Sequence, residues 1–158
     1  MKIFFAAIGA LAVLQTASPT EVAVTFSEDF AEELADNYGE REGAALTEEI
    51  IEDLEQAFTK VGVSPAKVDV TIIDAKPNRP TFEQLSQTPG LDAFRSISLG
   101  GMELTGTAYD DAGNVLATQE YDWFENDIRD VFPGGVWADA NRASRRFATK
   151  LAKQLSPE

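Results

Sequence analysis

Apolar and polar positions alternate over Glu21–Phe26, with Val22, Val24 and Phe26 on one face, and this spacing predicts a first strand. Ser27 then stands before EDFAEELADNY, where Phe30 and Leu34 lie four apart among acids, as in a short capped helix. Gly39 to Gly43 reads as a break. The main helix is expected to start at Thr47, an N-cap followed by Glu48 and Glu49, with Leu46 and Ile51 closing a hydrophobic staple. Ile50, Ile51, Leu54, Ala57, Phe58 and Val61 fall on one side of it, and Gly62 supplies the stop.

Lys67–Ala75 is a β-branched strand between Pro65 and Pro77, followed by a loop with one helical turn after Pro80. From Phe94 to Tyr109 the alternation runs in two registers. Ile97 and Leu99 occupy odd positions; Met102, Leu104 and Ala108 occupy even ones. A bulge at Gly100-Gly101 would bring both sets onto one face. Asp110–Asn114 makes a hairpin loop, and the return strand places Val115, Ala117, Tyr121 and Trp123 on one face. After an irregular crossing from Glu125 to Gly135, a last helix from about Trp137 to Leu155 carries the stripe Ala140, Ala143, Phe147, Leu151 and Leu155. Arg142, Arg145, Arg146, Lys150 and Lys153 lie opposite. The order β-α-β-β-β-α predicts an α/β (α+β) two-layer sandwich: a mixed sheet of about four strands with two main helices on one face.

The first eighteen residues change the picture by giving an address. Lys2 precedes an apolar run from Ile3 to Leu14, and Thr16-Ala17-Ser18 offers small residues for a peptidase. The run is shorter than the roughly twenty residues a bilayer span requires. Residues 1–18 are therefore expected to be a secretory signal and 19–158 one exported domain, periplasmic or secreted.

Composition narrows the chemistry. The chain has no histidine and, among its 158 residues, no cysteine. That excludes Ser-His-Asp and Cys-His nucleophiles and His-ligated transition metals. No metal or cofactor is implied. The formal charge of -14 makes nucleic acid and anionic membranes poor partners. Charge is also uneven: residues 19–62 hold thirteen acids and two bases, whereas 137–158 hold two acids and five bases. The Asp110–Asn114 loop fails as a calcium loop, because Ala112, Val115 and Tyr121 stand where ligand, glycine and glutamate are needed. The polar residues Asn78, Arg79, Trp123, Glu125, Asn126 and Trp137 form the candidate ligand-binding set, an aromatic–carboxylate–amide combination suited to a sugar or peptide.

The strand VDVTIIDAKPNRP (68–80), the run SISLGG (96–101), the hairpin ELTGTAYDDAGNVLA (103–117) and the helix WADANRASRRFATKLA (137–152) carry a pattern-level resemblance. The chain resembles small Gram-negative envelope proteins, including uncharacterised lipoprotein families and, more distantly, auxiliary lipoproteins of envelope transporters and secretion systems. Those lipoproteins need a cysteine after the signal; Leu14–Ser18 has none, so the resemblance implies an envelope protein without the lipid anchor. It carries over no catalytic residues. The first functional expectation is thus a non-catalytic accessory or binding protein with another envelope protein as partner. The alternatives are a homo-oligomer pairing through its sheet, and a small hydrolase using Glu125, Asp127 and Asp130.

Overall fold

The structure is a computed structural model that describes residues 19–131 and 134–157. The expected signal at residues 1–18 lies outside the described residues. The elements are β1 (Glu21–Phe26), α1 (Glu28–Glu33), α2 (Glu40–Val61), β2 (Lys67–Lys76), α3 (Phe82–Gln87), β3 (Gly101–Tyr109), β4 (Val115–Phe124) and α4 (Ala138–Leu155). One four-stranded sheet has the order β1-β2-β3-β4. β1 pairs parallel to β2, as a helical crossover permits, and the other pairs are antiparallel. α2 and α4 lie side by side on one face, giving the expected α+β two-layer sandwich.

Ser27 caps α1 as expected, accepting from Phe30 N–H, and its hydroxyl donates to the Ile73 carbonyl of β2. α1 then widens into a π-helical turn at Leu34–Tyr38 that ends at Gly39, whose φ of 95° turns the chain. The expected break at Gly39–Gly43 and the Thr47 cap are corrected here. α2 begins at Glu40, seven residues earlier, and Thr47 lies inside it. Gly43 is tolerated in the helix because it is a contact point: a Cβ there would sit 3.1 Å from Leu34 and 3.2 Å from Phe26. Tertiary packing outweighs the roughly 1 kcal/mol propensity cost of a helical glycine. At the other end Gly62 is left-handed and closes α2 as expected.

The core lies between the sheet and the helix pair. Val68, Val70 and Ile72 of β2, Met102, Leu104 and Ala108 of β3, and Ala140, Ala143, Phe147 and Leu151 of α4 share one core, all buried. Gly106 makes room for Phe147, since a Cβ there would meet its ring at 2.7 Å. The alanines of α4 let the helix approach the sheet closely, and its expected apolar stripe is the buried one.

The parity change expected at Gly100-Gly101 occurs elsewhere. Residues 94–99 form no strand, and Ile97 and Leu99 are exposed. The register shifts instead between Ile72 and Asp74, so that even-numbered Ile72 and odd-numbered Ala75 both face the core. A second shift puts Leu116 between the pairs Ala108–Ala117 and Tyr109–Val115, which turns Val115 out to 61% exposure. Val115 is thereby corrected: it leaves the face it was expected to share with Ala117, Tyr121 and Trp123.

Gly100 and Gly101 are required for another reason, close approach. A Cβ on Gly101 would lie 2.4 Å from Phe124 Cα, and one on Gly100 would lie 2.6 Å from Asn78 Oδ1. Gly100→Val and Gly101→Val are each expected to lower unfolding free energy by about 2 kcal/mol, the cost of forcing atoms into a packed site. Urea midpoints equal to the wild type in both variants would remove this account.

Candidate functional site

The candidate residues come from the loop after β2, the end of β4 with the loop that follows it, and the N-cap of α4, and the fold gathers most of them at one end of the sheet. Asn78 follows β2 and is 1% exposed. Its amide Nδ2 donates to Asp139 Oδ2 and, at 3.2 Å, to the Ser98 carbonyl; its Oδ1 accepts from Asp139 N–H at 2.7 Å. Its main chain also pairs, with N–H donating to Val136 and the carbonyl accepting from Ser98 N–H. One side chain thus joins the β2 end, the 92–100 loop and the first turn of α4.

Asp139 is fully buried in that first turn, where the helix dipole favours a carboxylate. Its Oδ1 has no hydrogen-bond partner, and Arg142 NH1 stands 3.9 Å away. The same guanidinium lies 3.9 Å from Glu125 Oε2 and stacks 5.4 Å from the Trp123 ring centre. Arg146 approaches the same ring at 4.9 Å, and Lys150 lies 5.8 Å from the Tyr121 ring. The basic stripe of α4 is therefore divided: three of its cations, spaced four residues apart, roof the aromatic residues of β4. Arg145 instead reaches Glu49 of α2 at 3.5 Å, an exposed contact worth about 0–1 kcal/mol.

Glu125 turns back on its own loop, accepting from Asn126 N–H and Asp127 N–H. Asp127 receives a forked contact from Arg129, and that guanidinium, helped by backbone N–H, holds its carboxyl below the usual range. Asn126 and Asp130 are exposed. Trp137, the N-cap of α4, packs towards the start of α2. It is 6% exposed, sits edge-on to Tyr38 at 5.5 Å, and donates from Nε1 to Glu42 Oε2 at 2.6 Å. That bond exists because α2 starts at Glu40. Burial, with Glu33 and Asp74 close by, pushes the Tyr38 hydroxyl up to about 12.

Of the six candidates, Asn78, Trp123, Glu125 and Trp137 are thus brought around the start of α4, and each is engaged by the protein itself. Arg79 points the other way. Its NH1 donates to the Phe94 carbonyl at 2.6 Å and holds the 92–100 loop. Among the described residues, no group of three or more acidic, histidine or cysteine side chains could hold a metal ion. No helix among them is long and apolar enough to cross a membrane.

A second feature stands out next to this cluster. Phe82, Leu91, Phe94, Ile97 and Leu99 are all exposed, with Phe94 at 84%. The segment presenting them is nevertheless well bonded. Asp92 accepts from Phe94 N–H and Arg95 N–H at 2.8 Å, Ser96 N–H donates to the Asp92 carbonyl, and Ser98 Oγ donates to the Pro77 carbonyl. Leu91, Ile97 and Leu99 line a groove of about 370 Å³ whose other wall is Tyr38, Pro77 and Pro80. In the sequence the apolar residues at 91, 94, 97 and 99 are its only sign, and the alternation assigns Ile97 and Leu99 to a strand. No family model matches the chain, and no curated protein matches it either.

Proposed function

We propose that this is an exported, non-catalytic binding or accessory protein of the bacterial envelope, acting through protein contact at the 91–99 loop. The observation that carries this reading is the loop's combination of fixed backbone and exposed apolar side chains. Exposed Phe and Ile on a mobile segment would be an aggregation hazard. Held by Arg79, Asn78 and Asp92, they form a defined surface of the size that marks interaction sites on soluble domains. The engaged polar cluster at the α4 start acts as the scaffold beneath that surface. Export rests on the signal pattern of residues 1–18 and the envelope resemblance.

Two measurements test it. After expression of the full chain in a Gram-negative host, osmotic shock is expected to release a product about eighteen residues shorter; a full-length product retained in the cytoplasm would overturn export. A photo-crosslinking amino acid at Phe94 is expected to form a defined adduct in intact cells. Absence of any adduct there, with the protein folded, would overturn the binding reading.

A further inference from the structure

We infer that the partner seated on the 91–99 loop is a second copy of this chain, in a two-fold pair in which each Phe94 enters the other's groove. The inference rests on the binding reading above and names its occupant. An isologous contact requires one surface to carry both halves of the complement, because residue i of one copy meets j of the other and j meets i. This loop does so: Phe94 projects at 84% exposure between Leu91 and Ser96, two of the residues that line the groove. A volume of about 370 Å³ accommodates a phenyl ring.

Area and charge agree with a pair. The exposed apolar side chains of residues 91–99 present roughly 400 Å², counting about 200 Å² for a fully exposed phenylalanine. A standard interface covers about 800 Å² per partner, and homodimer interfaces are about 65% apolar, which calls for a similar apolar area. Two copies of a chain with net charge -14 repel each other over most of their surface. Residues 82–99 contain only Glu83, Asp92 and Arg95 as charged groups, so this is where two copies can meet without bringing many acids together.

The test is analytical ultracentrifugation of the protein purified after expression of the full chain, over a wide concentration range. A reversible dimer is expected. Phe94→Ser should weaken it at least about tenfold with an unchanged circular-dichroism spectrum, as should Ile97→Glu in the groove wall. Val115→Ser, at another exposed apolar position on the β4 edge, should leave it intact. A dimer lost in Val115→Ser but kept in Phe94→Ser would overturn the inference in favour of pairing through the sheet. A strict monomer with a Phe94 crosslink to a different protein would overturn self-pairing and leave the binding reading standing. A monomer with no crosslink would overturn both. Phe94-dependent flotation with phosphatidylcholine vesicles, without a dimer, would also overturn it.

Discussion

Asn78→Ala should lower the unfolding free energy by about 4 kcal/mol, among the largest losses available to a single substitution in this chain. The side chain makes three hydrogen bonds in a site closed to water. Each buried partner left unsatisfied costs about 1–3 kcal/mol, more when it is charged. The Asp139 carboxylate is the main loser. One of its oxygens already lacks a partner, and after truncation Arg142, at 3.9 Å, and the N-terminal end of α4 are what remains to compensate a fully buried carboxylate. Asn78→Asp should be at least as damaging near neutral pH, because it sets a second carboxylate against the first. Urea denaturation with an unchanged m-value provides the measurement. A loss below about 1 kcal/mol would show that the loop, β2 and α4 are held together by other means. Should Asn78→Ala fail to accumulate in folded form, Ser98→Ala offers a milder probe, removing only the Ser98 hydroxyl's bond to the Pro77 carbonyl, and should cost about 1 kcal/mol.

Asp53→Asn should act in the opposite direction and only above acid pH. Asp53 sits in the seam between α2 and α4 at 7% exposure, beside Ser144. Burial pushes its carboxyl up to about 6; the Ser144 hydroxyl and Arg145 pull it back, while Glu49 and Glu52 raise it further. Although Ser144 lies near enough to matter electrostatically, neither Asp53 Oδ2 nor Ser144 Oγ has a hydrogen-bond partner. The geometry shows two unsatisfied groups facing one seam, and the ionised carboxylate is poorly compensated there. In the unfolded chain an aspartate titrates near 4. Between about pH 4 and 6 the native state keeps a proton that the unfolded state has released, so stability from this group falls as pH rises through that window. Above it the penalty is constant at about 3 kcal/mol, two pKa units at 1.36 kcal/mol each. The asparagine variant is therefore expected to be about 2–3 kcal/mol more stable than the wild type at pH 8 and equal to it near pH 4. The comparison cancels the repulsion among the remaining acids, which both proteins share. A difference that stays constant from pH 4 to 8 would show that Asp53 does not titrate in the native state near 6.

These two sites mark where sequence reading loses sight of the molecule. By sequence Asn78 stands out only as a polar candidate residue between Pro77 and Pro80. Its partners Ser98 and Asp139 lie 20 and 61 residues away, so no local pattern could reveal that its amide closes a network. In the sequence Asp53 is one acid among Glu48, Glu49, Glu52 and Glu55. It is buried because α4 crosses its side of α2, and an α2 pattern contains no information about its neighbour. Glu42 was invisible for a related reason: the Gly39–Gly43 stretch reads as a breaker until Phe26 and Leu34 are seen to pack against Gly43.

What the chain by itself determined was everything set by side-chain direction within an element. Alternation on β1, β2 and β3, the stripe of α4, the Ser27 cap, the Gly62 stop and the Asp110–Asn114 turn follow from local geometry with periods of 2 and 3.6, and they suffice for the β-α-β-β-β-α sandwich. The tertiary structure alone decided where the alternation changes parity, at Ile73 and Leu116, because a bulge is chosen by the partner strand's register. It also decided that α2 gains two turns before Thr47, that the cations of α4 cover Trp123 and Tyr121, and that Phe94, Ile97 and Leu99 face outward. Burial is a property of what lies opposite a residue in space. For contacts separated by tens of residues, sequence hydrophobicity states only that a side chain favours a partner, and the fold determines whether it has one.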